Sequence, residues 1–292
     1  MAIATHSFAE ITLPNSTILF SKTIYKDKSE GAEIKEEQIW YIGNKNNWNP
    51  QILVSGKHTS DAKLSPDGKN LLWFDRSSYT YEQSISTQNT TRLLKGFGAR
   101  YSPSGKLIAF ISQREVSSGG IGRSVEIYDR KNKQTKVIAE GKQFPSQYHS
   151  TSWITDNEIA FIAEFPGKPI IIAIFNLQGQ QTRHILMPTN LSGISGLVLS
   201  PDRSTWLFQA TNNTEPDHSR IYIMDMDGSG IKKIFEDGSK SYHFAPAWAP
   251  DGKHIAFSAG YEGLKQIIIL NLRSRESKNL PGSITDWGTE FK

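Results

Sequence analysis

Three histidines, His58, His149 and His243, are the side chains in this 292-residue sequence best placed by type and spacing to do chemistry. They fall four to six residues before Leu64, Trp153 and Trp248, apolar positions that each open a repeated motif. Three imidazoles and a water form a site for zinc or another divalent ion. The unequal offsets instead favour separate loop histidines, so the sequence predicts no resident metal and no cofactor.

Other chemistries are excluded by residue type. There is no cysteine, which removes disulfides, thiolate nucleophiles and cysteine-ligated zinc together. Gly193-Ile194-Ser195-Gly196 is one residue short of a nucleophile elbow and precedes a strand pattern rather than joining strand to helix. Ser118-Gly119-Gly120-Ile121-Gly122 opens no helix and reads as a loop tip. The net charge of +4 comes from 33 basic and 29 acidic side chains that are interspersed, so no nucleic-acid footprint is expected. The densest run, residues 22–37, mixes both signs and reads as a solvated loop. No apolar run is long enough for a membrane span, and Met1-Ala2-Ile3-Ala4 does not begin a signal peptide.

What positions the polar residues is a repeat. Ser65-Pro66-Asp67-Gly68, Ser102-Pro103-Ser104-Gly105 and Ala249-Pro250-Asp251-Gly252 each precede a short apolar strand, with weaker copies at Ser200-Pro201-Asp202-Arg203 and Leu13-Pro14-Asn15-Ser16 and a degenerate one at Thr155-Asp156-Asn157. Proline fixes the first turn position, aspartate bonds the backbone two residues on, and glycine accepts positive φ, so each copy makes a tight hairpin. The six strands end at Phe20, Phe74, Phe110, Phe161, Phe208 and Phe257, spacings that suit one four-stranded propeller blade each. A second hairpin follows, marked by an Asx residue nine positions before an apolar one: Asp129 to Ile138, Asn176 to Ile185, Asp225 to Ile234 and Asn271 to Leu280. The sequence therefore predicts an all-β, six-bladed β-propeller of four-stranded antiparallel blades, as a single domain over residues 1–292. The amino-terminal segment Ile11 to Leu13 is expected to supply the first blade's inner strand, with residues 283–292 packed alongside as a clasp and Trp287 matching Trp248.

Residues 244–258 and 221–228 resemble the repeat of the TolB-like β-propeller family, a likeness that extends over nearly the whole chain. The resemblance implies the same fold and a role as a non-enzymatic protein- or peptide-binding scaffold, in the periplasm or a cell-envelope complex. It implies nothing of the amino-terminal α/β domain that accompanies the propeller in TolB, for which the repeat leaves no room. The alternative is a metal-dependent propeller enzyme of lyase or lactonase type, acting at the channel mouth. Inner strands carry few groups for that chemistry: Asp61, Lys63, Arg100 and Thr151.

In a radial meander the Pro-Asp-Gly turns share one face, and the long loops share the other with the mouth of the central channel. Loops on a rigid scaffold carry binding function. The residues expected to bind a protein or peptide partner are His58, Arg114, Arg123, Tyr148, His149, Tyr242, His243, Tyr261 and Glu262, mixing aromatic bodies with charge-capable tips. A monomer, no catalytic residue and no metal ligand complete the expectation.

Overall fold

The computed structural model describes residues 17–25, 34–43, 49–56, 60–75, 77–115, 119–140, 147–236, 242–261, 264–284 and 287–291. Among them twenty-four strands form six four-stranded antiparallel sheets. Blade 1 holds β1 (Thr17–Tyr25), β2 (Ile34–Gly43) and β3 (Gln51–Gly56). Blade 2 holds β4 (Ser60–Leu64), β5 (Asn70–Phe74), β6 (Tyr79–Ser84) and β7 (Thr90–Lys95). Blade 3 holds β8 (Phe97–Tyr101), β9 (Leu107–Glu115), β10 (Ile121–Asp129) and β11 (Gln134–Ala139), and blade 4 holds β12 (Gln147–Trp153), β13 (Glu158–Glu164), β14 (Ile171–Asn176) and β15 (Gln181–Leu186). Blade 5 is β16 (Leu191–Leu199), β17 (Thr205–Asn212), β18 (Ser219–Asp225) and β19 (Lys232–Lys233). Blade 6 is β20 (Tyr242–Trp248), β21 (His254–Tyr261), β22 (Leu264–Asn271) and β23 (Ser277–Ile284), and β24 (Trp287–Phe291) returns to pair with β1.

The inner strands β4, β8, β12, β16, β20 and β24 touch one another in a closed ring. Six buried apolar clusters fall between successive blades, one at each junction, including the junction of blade 6 with blade 1. Neither face of a blade can bury itself alone, so packing each sheet on both neighbours hides apolar surface around the ring. The second-hairpin markers join this packing: Ile138, Ile185, Ile234 and Leu280 are all buried.

The turn chemistry is as the sequence implies. Gly68 N–H donates to Ser65 O at 2.9 Å, and Asp67 Oδ1 accepts from the backbone of Lys69 at 3.1 Å. The fourth turn residue is left-handed at Gly68, Gly105 and Gly252, and Arg203 takes the same conformation, φ 62°, where the copy lacks its glycine.

Two registers differ from the sequence reading. Phe20, Phe110, Phe161, Phe208 and Phe257 each pack against the preceding blade and are at most 2% exposed. In blade 2 that slot belongs to Trp73, which packs toward blade 1, while Phe74 pairs with Ser60 one step further along. The turn at Ser65 is followed by one residue more before its phenylalanine than the turns at Ser102, Ser200 and Ala249 are, and counting from those turns identifies Trp73.

The second correction concerns closure. Trp287–Phe291, the carboxyl-terminal segment, occupies the inner position of blade 1, pairing with β1 in register Ser21↔Trp287 and Ile18↔Phe291. Phe291, not Trp287, therefore stands where Trp248 stands opposite Ile255. Ile11 to Leu13 lie outside the described residues.

Candidate binding site at the channel mouth

Five inner strands are kinked at the same place. Asp61, Gly98, Ser150, Gly196 and Ala245 all have positive φ, between 51° and 64°. Each lies in a stretch where two inner-strand residues face one residue of the next strand, as between the pairs Phe244↔Ser258 and Ala247↔Ala256. Such a bulge breaks the ladder and re-aims the backbone. All five residues line one cavity of about 550 Å³ at the long-loop end of the channel.

Hydrogen bonds between neighbouring blades hold this rim. Gly196 N–H donates to Ser150 Oγ at 3.1 Å, and Ala245 N–H donates to Gln209 Oε1 at 2.7 Å. Thr151 Oγ1 donates to Gly98 O at 3.3 Å, and Trp153 Nε1 to Arg100 O at 3.1 Å. These bonds tie blades 3 to 6 together at the rim, so it is pre-organised rather than assembled by a guest.

The walls carry Asp61, Lys63, Arg100, Arg123, His149 and Glu164. Lys63 is 4% exposed and pairs with Asp61 at 2.5 Å. Burial pushes the Asp61 carboxyl up, but the charges of Lys63 and Arg100 and the hydrogen bond from Lys63 outweigh it and hold the pKa below the usual aspartate value. Arg123 lies over the Phe97 ring, 5.2 Å from its centre. His149 Nε2 stands 3.8 Å from Glu164 Oε2. Burial lowers the His149 pKa, Glu164 opposes that shift and Arg123 adds to it, so the ring is neutral at pH 7. Lys63 and Arg100 also line a second cavity of about 390 Å³ toward the turn face, and thus stand between the two halves of the channel.

Of the nine residues singled out from the sequence, Arg123 and His149 line this mouth. Tyr148 instead packs between blades 3 and 4, its ring edge-on to Phe161 at 5.0 Å and Phe165 at 6.0 Å. Arg114 is exposed on β9 and pairs with Glu126 at 3.4 Å. Tyr242 is 46% exposed and stacks on His218 at 6.0 Å. His243 is fully buried in blade 6, with its ring against Phe235 and Phe257 at 5.2 and 5.5 Å. It is a core residue of β20, not a loop residue, and it does not join His149 at the mouth. His58 and Glu262 lie outside the described residues, as does the side chain of Tyr261. Asp61, Lys63 and Arg100, which the sequence marked only as inner-strand groups, also line the mouth, as do Ser195 and Gln209, and none of these five is among the nine. The signal for the bulge was positional, four residues before the first residue of each turn and five before the degenerate turn at Thr155, and not a residue type, since Asp, Gly, Ser, Gly and Ala fill it.

Among solved structures, the chain is similar to TolB from Acinetobacter baumannii, with a TM-score of 0.72 and 14% identity over 94% of this chain and 66% of that one. A putative TolB from Agrobacterium tumefaciens matches at TM-score 0.64 and 16% identity, covering 91% and 87%. An oligogalacturonate lyase in complex with manganese matches at TM-score 0.57 and 15% identity, covering 83% and 70%. Among curated proteins, dipeptidyl-peptidase 5 of Porphyromonas gingivalis is 36% identical over 80 residues, which is 26% of this chain and 11% of that protein. No family model matches. At these identities the likeness establishes the fold, a TolB-like six-bladed propeller, and the chain spans just under two thirds of the Acinetobacter protein and a small part of the peptidase.

Proposed function

We propose that the protein is a non-enzymatic module that binds a protein or peptide segment at the long-loop mouth of its channel, within a cell-envelope assembly. The observation that carries this reading is the cavity of about 550 Å³ ringed by five bulged backbones and by Lys63, Arg100 and Arg123. A concave, pre-formed site of this size holds a short extended segment, and cationic walls suit its carbonyl and carboxylate oxygens. Of the two carboxylates in the wall, Asp61 is already paired with cationic Lys63 at 2.5 Å. That favours recognition over the binding of a catalytic divalent ion.

Among the described residues no cluster of three or more His, Cys, Asp or Glu side chains converges. A second reading, a metal-dependent enzyme of lyase type, is supported by the structural likeness to a manganese-bound oligogalacturonate lyase. Its polyanionic class of ligand would also suit a cationic mouth. Two measurements separate the readings. Peptides selected from a displayed random library against the folded protein should lose affinity when Arg123→Gln and Ser195→Trp alter the mouth. Stoichiometric manganese, zinc or calcium in purified protein, with no peptide selected, would overturn the binding module in favour of the enzyme.

A further inference from the structure

We infer that a groove on the turn face, where blades 2, 3 and 4 meet, is a second docking surface that takes an acidic, partly apolar peptide segment. It encloses about 870 Å³ and lies at the opposite end of the blades from the channel mouth. Its partly exposed apolar lining comes from Leu93 in blade 2's outer strand, Leu107 of blade 3 and Leu177 of blade 4.

The groove is rigid because side chains bolt the three blades together beneath it. Arg130 of blade 3 pairs with Glu82 of blade 2 at 2.6 Å, donates to Gly105 O at 2.9 Å and lies 5.3 Å from the centre of the Tyr101 ring. Tyr101 donates its hydroxyl to the same Glu82 oxygen at 2.6 Å. Blade 4 is joined through Asp156, which accepts the backbone N–H of Ser104 at 3.0 Å.

The charge on the rim is asymmetric in what it leaves over. Every carboxylate of the groove is engaged within it: Glu82 and Asp156 as above, and Asp129 by the backbone N–H groups of Lys131 and Asn132 at 2.8 and 3.0 Å and by the Asn132 amide at 2.7 Å. Arg130 is likewise engaged, by Glu82, but the three lysines are held by no such close pair. Lys106, Lys131 and Lys133 are exposed on the rim and form no close ion pair with any described residue, although Lys106 and Lys131 act at longer range on Asp156 and Asp129. Three exposed lysines stand on the rim above half-buried, hydrogen-bonded carboxylates, and with Arg130 they leave the groove a net positive charge; around an apolar floor this complements a segment that alternates carboxylates with leucine-like side chains. A basic or purely polar segment would satisfy neither the rim nor the floor.

The test uses two fluorescent dodecapeptides, one repeating Glu-Glu-Leu and one repeating Lys-Lys-Leu, titrated by anisotropy onto the full chain at low salt. The acidic peptide should bind saturably with one site per chain and the basic one should not. The triple substitution Lys106→Gln, Lys131→Gln, Lys133→Gln should weaken the acidic peptide by about tenfold, as three solvent-exposed charge contacts would. Asn157→Trp, which fills the groove without changing charge, should weaken it similarly. The control triple Lys168→Gln, Lys232→Gln, Lys253→Gln removes the same charge elsewhere and should change affinity by less than about twofold. Equal losses in both triples, unchanged binding in Asn157→Trp, or no saturable binding would overturn the proposal. Loss confined to Arg123→Gln would place the peptide at the channel mouth, refuting the groove while leaving the mouth as the binding site.

Discussion

Phe291 of β24 lies opposite Ile18 of β1, so the carboxyl-terminal strand is hydrogen-bonded into the amino-terminal blade. This pairing closes the ring: without it blade 1 would lack its inner strand, and the junction between blades 6 and 1 would lose one wall. Closure by a strand from the far end of the sequence is a long-range contact, whose loop-closure entropy is met only when the other blades are in place. The ring is thereby expected to melt as one unit.

Removal of residues 287–292 tests that coupling. A chain of this size that loses roughly 4 kcal/mol should melt about 6–7 °C lower. Differential scanning calorimetry should show the drop together with a broader transition. An unchanged melting temperature would mean that β24 adds nothing to the ring.

The phenylalanine register gives a graded expectation. Phe208 and Phe257 are fully buried, so Phe208→Ala and Phe257→Ala should each cost about 3–5 kcal/mol. Phe74 is half-buried and outside the shared slot, so Phe74→Ala should cost less than about 2 kcal/mol, since less side-chain area leaves water there. Urea denaturation of the three variants measures the difference directly.

The bulges predict opposite signs at two positions. Ala245 holds φ at 51°, a conformation that costs an L-residue with a Cβ, so Ala245→Gly should stabilise by about 0.5–1 kcal/mol. Gly98 has φ 62° and no atom within 4 Å of a Cβ built there, so Gly98→Ala should lose about 1 kcal/mol through backbone strain alone. Equal effects of one sign would show that the bulge geometry relaxes.

His149 sets a pH dependence. Burial, with Arg123 beside it, keeps its folded pKa below the ordinary 6.5, although Glu164 pulls the other way. Below pH 6.5 the unfolded chain takes up a proton that the folded chain resists, so this residue lowers stability as pH falls through that value and contributes nothing above it. His149→Gln should flatten the fall in melting temperature between pH 6.5 and about 5 while leaving pH 8 nearly unchanged.

The blade count, the hairpins and the long-loop face could be read from the sequence because turn residues state their geometry locally: Asp67 and Gly68 do in the structure what their types allow. Closure could not, because Ile11 to Leu13 and Trp287–Phe291 have equal strand character and only three-dimensional pairing decides between them. The mouth was half legible. Arg123 and His149, expected on loops, lie on β10 and β12 and line the mouth, whereas His243, on the inner strand β20, turns its ring inward against Phe257. Ser150 and Ala245 escaped notice because a left-handed kink has no residue signature when strand pairing on both sides enforces it.

The most direct measurement of the central claim is site-specific photo-crosslinking. A benzophenone amino acid replaces Ser195 at the mouth and, in a separate protein, Lys253 on the turn face of blade 6; each is irradiated with a peptide selected against the unmodified chain. The binding-module account expects adducts from position 195, suppressed by Arg123→Gln, and none from position 253. Adducts from position 253 alone, or equal labelling at both, would contradict a binding site at the channel mouth.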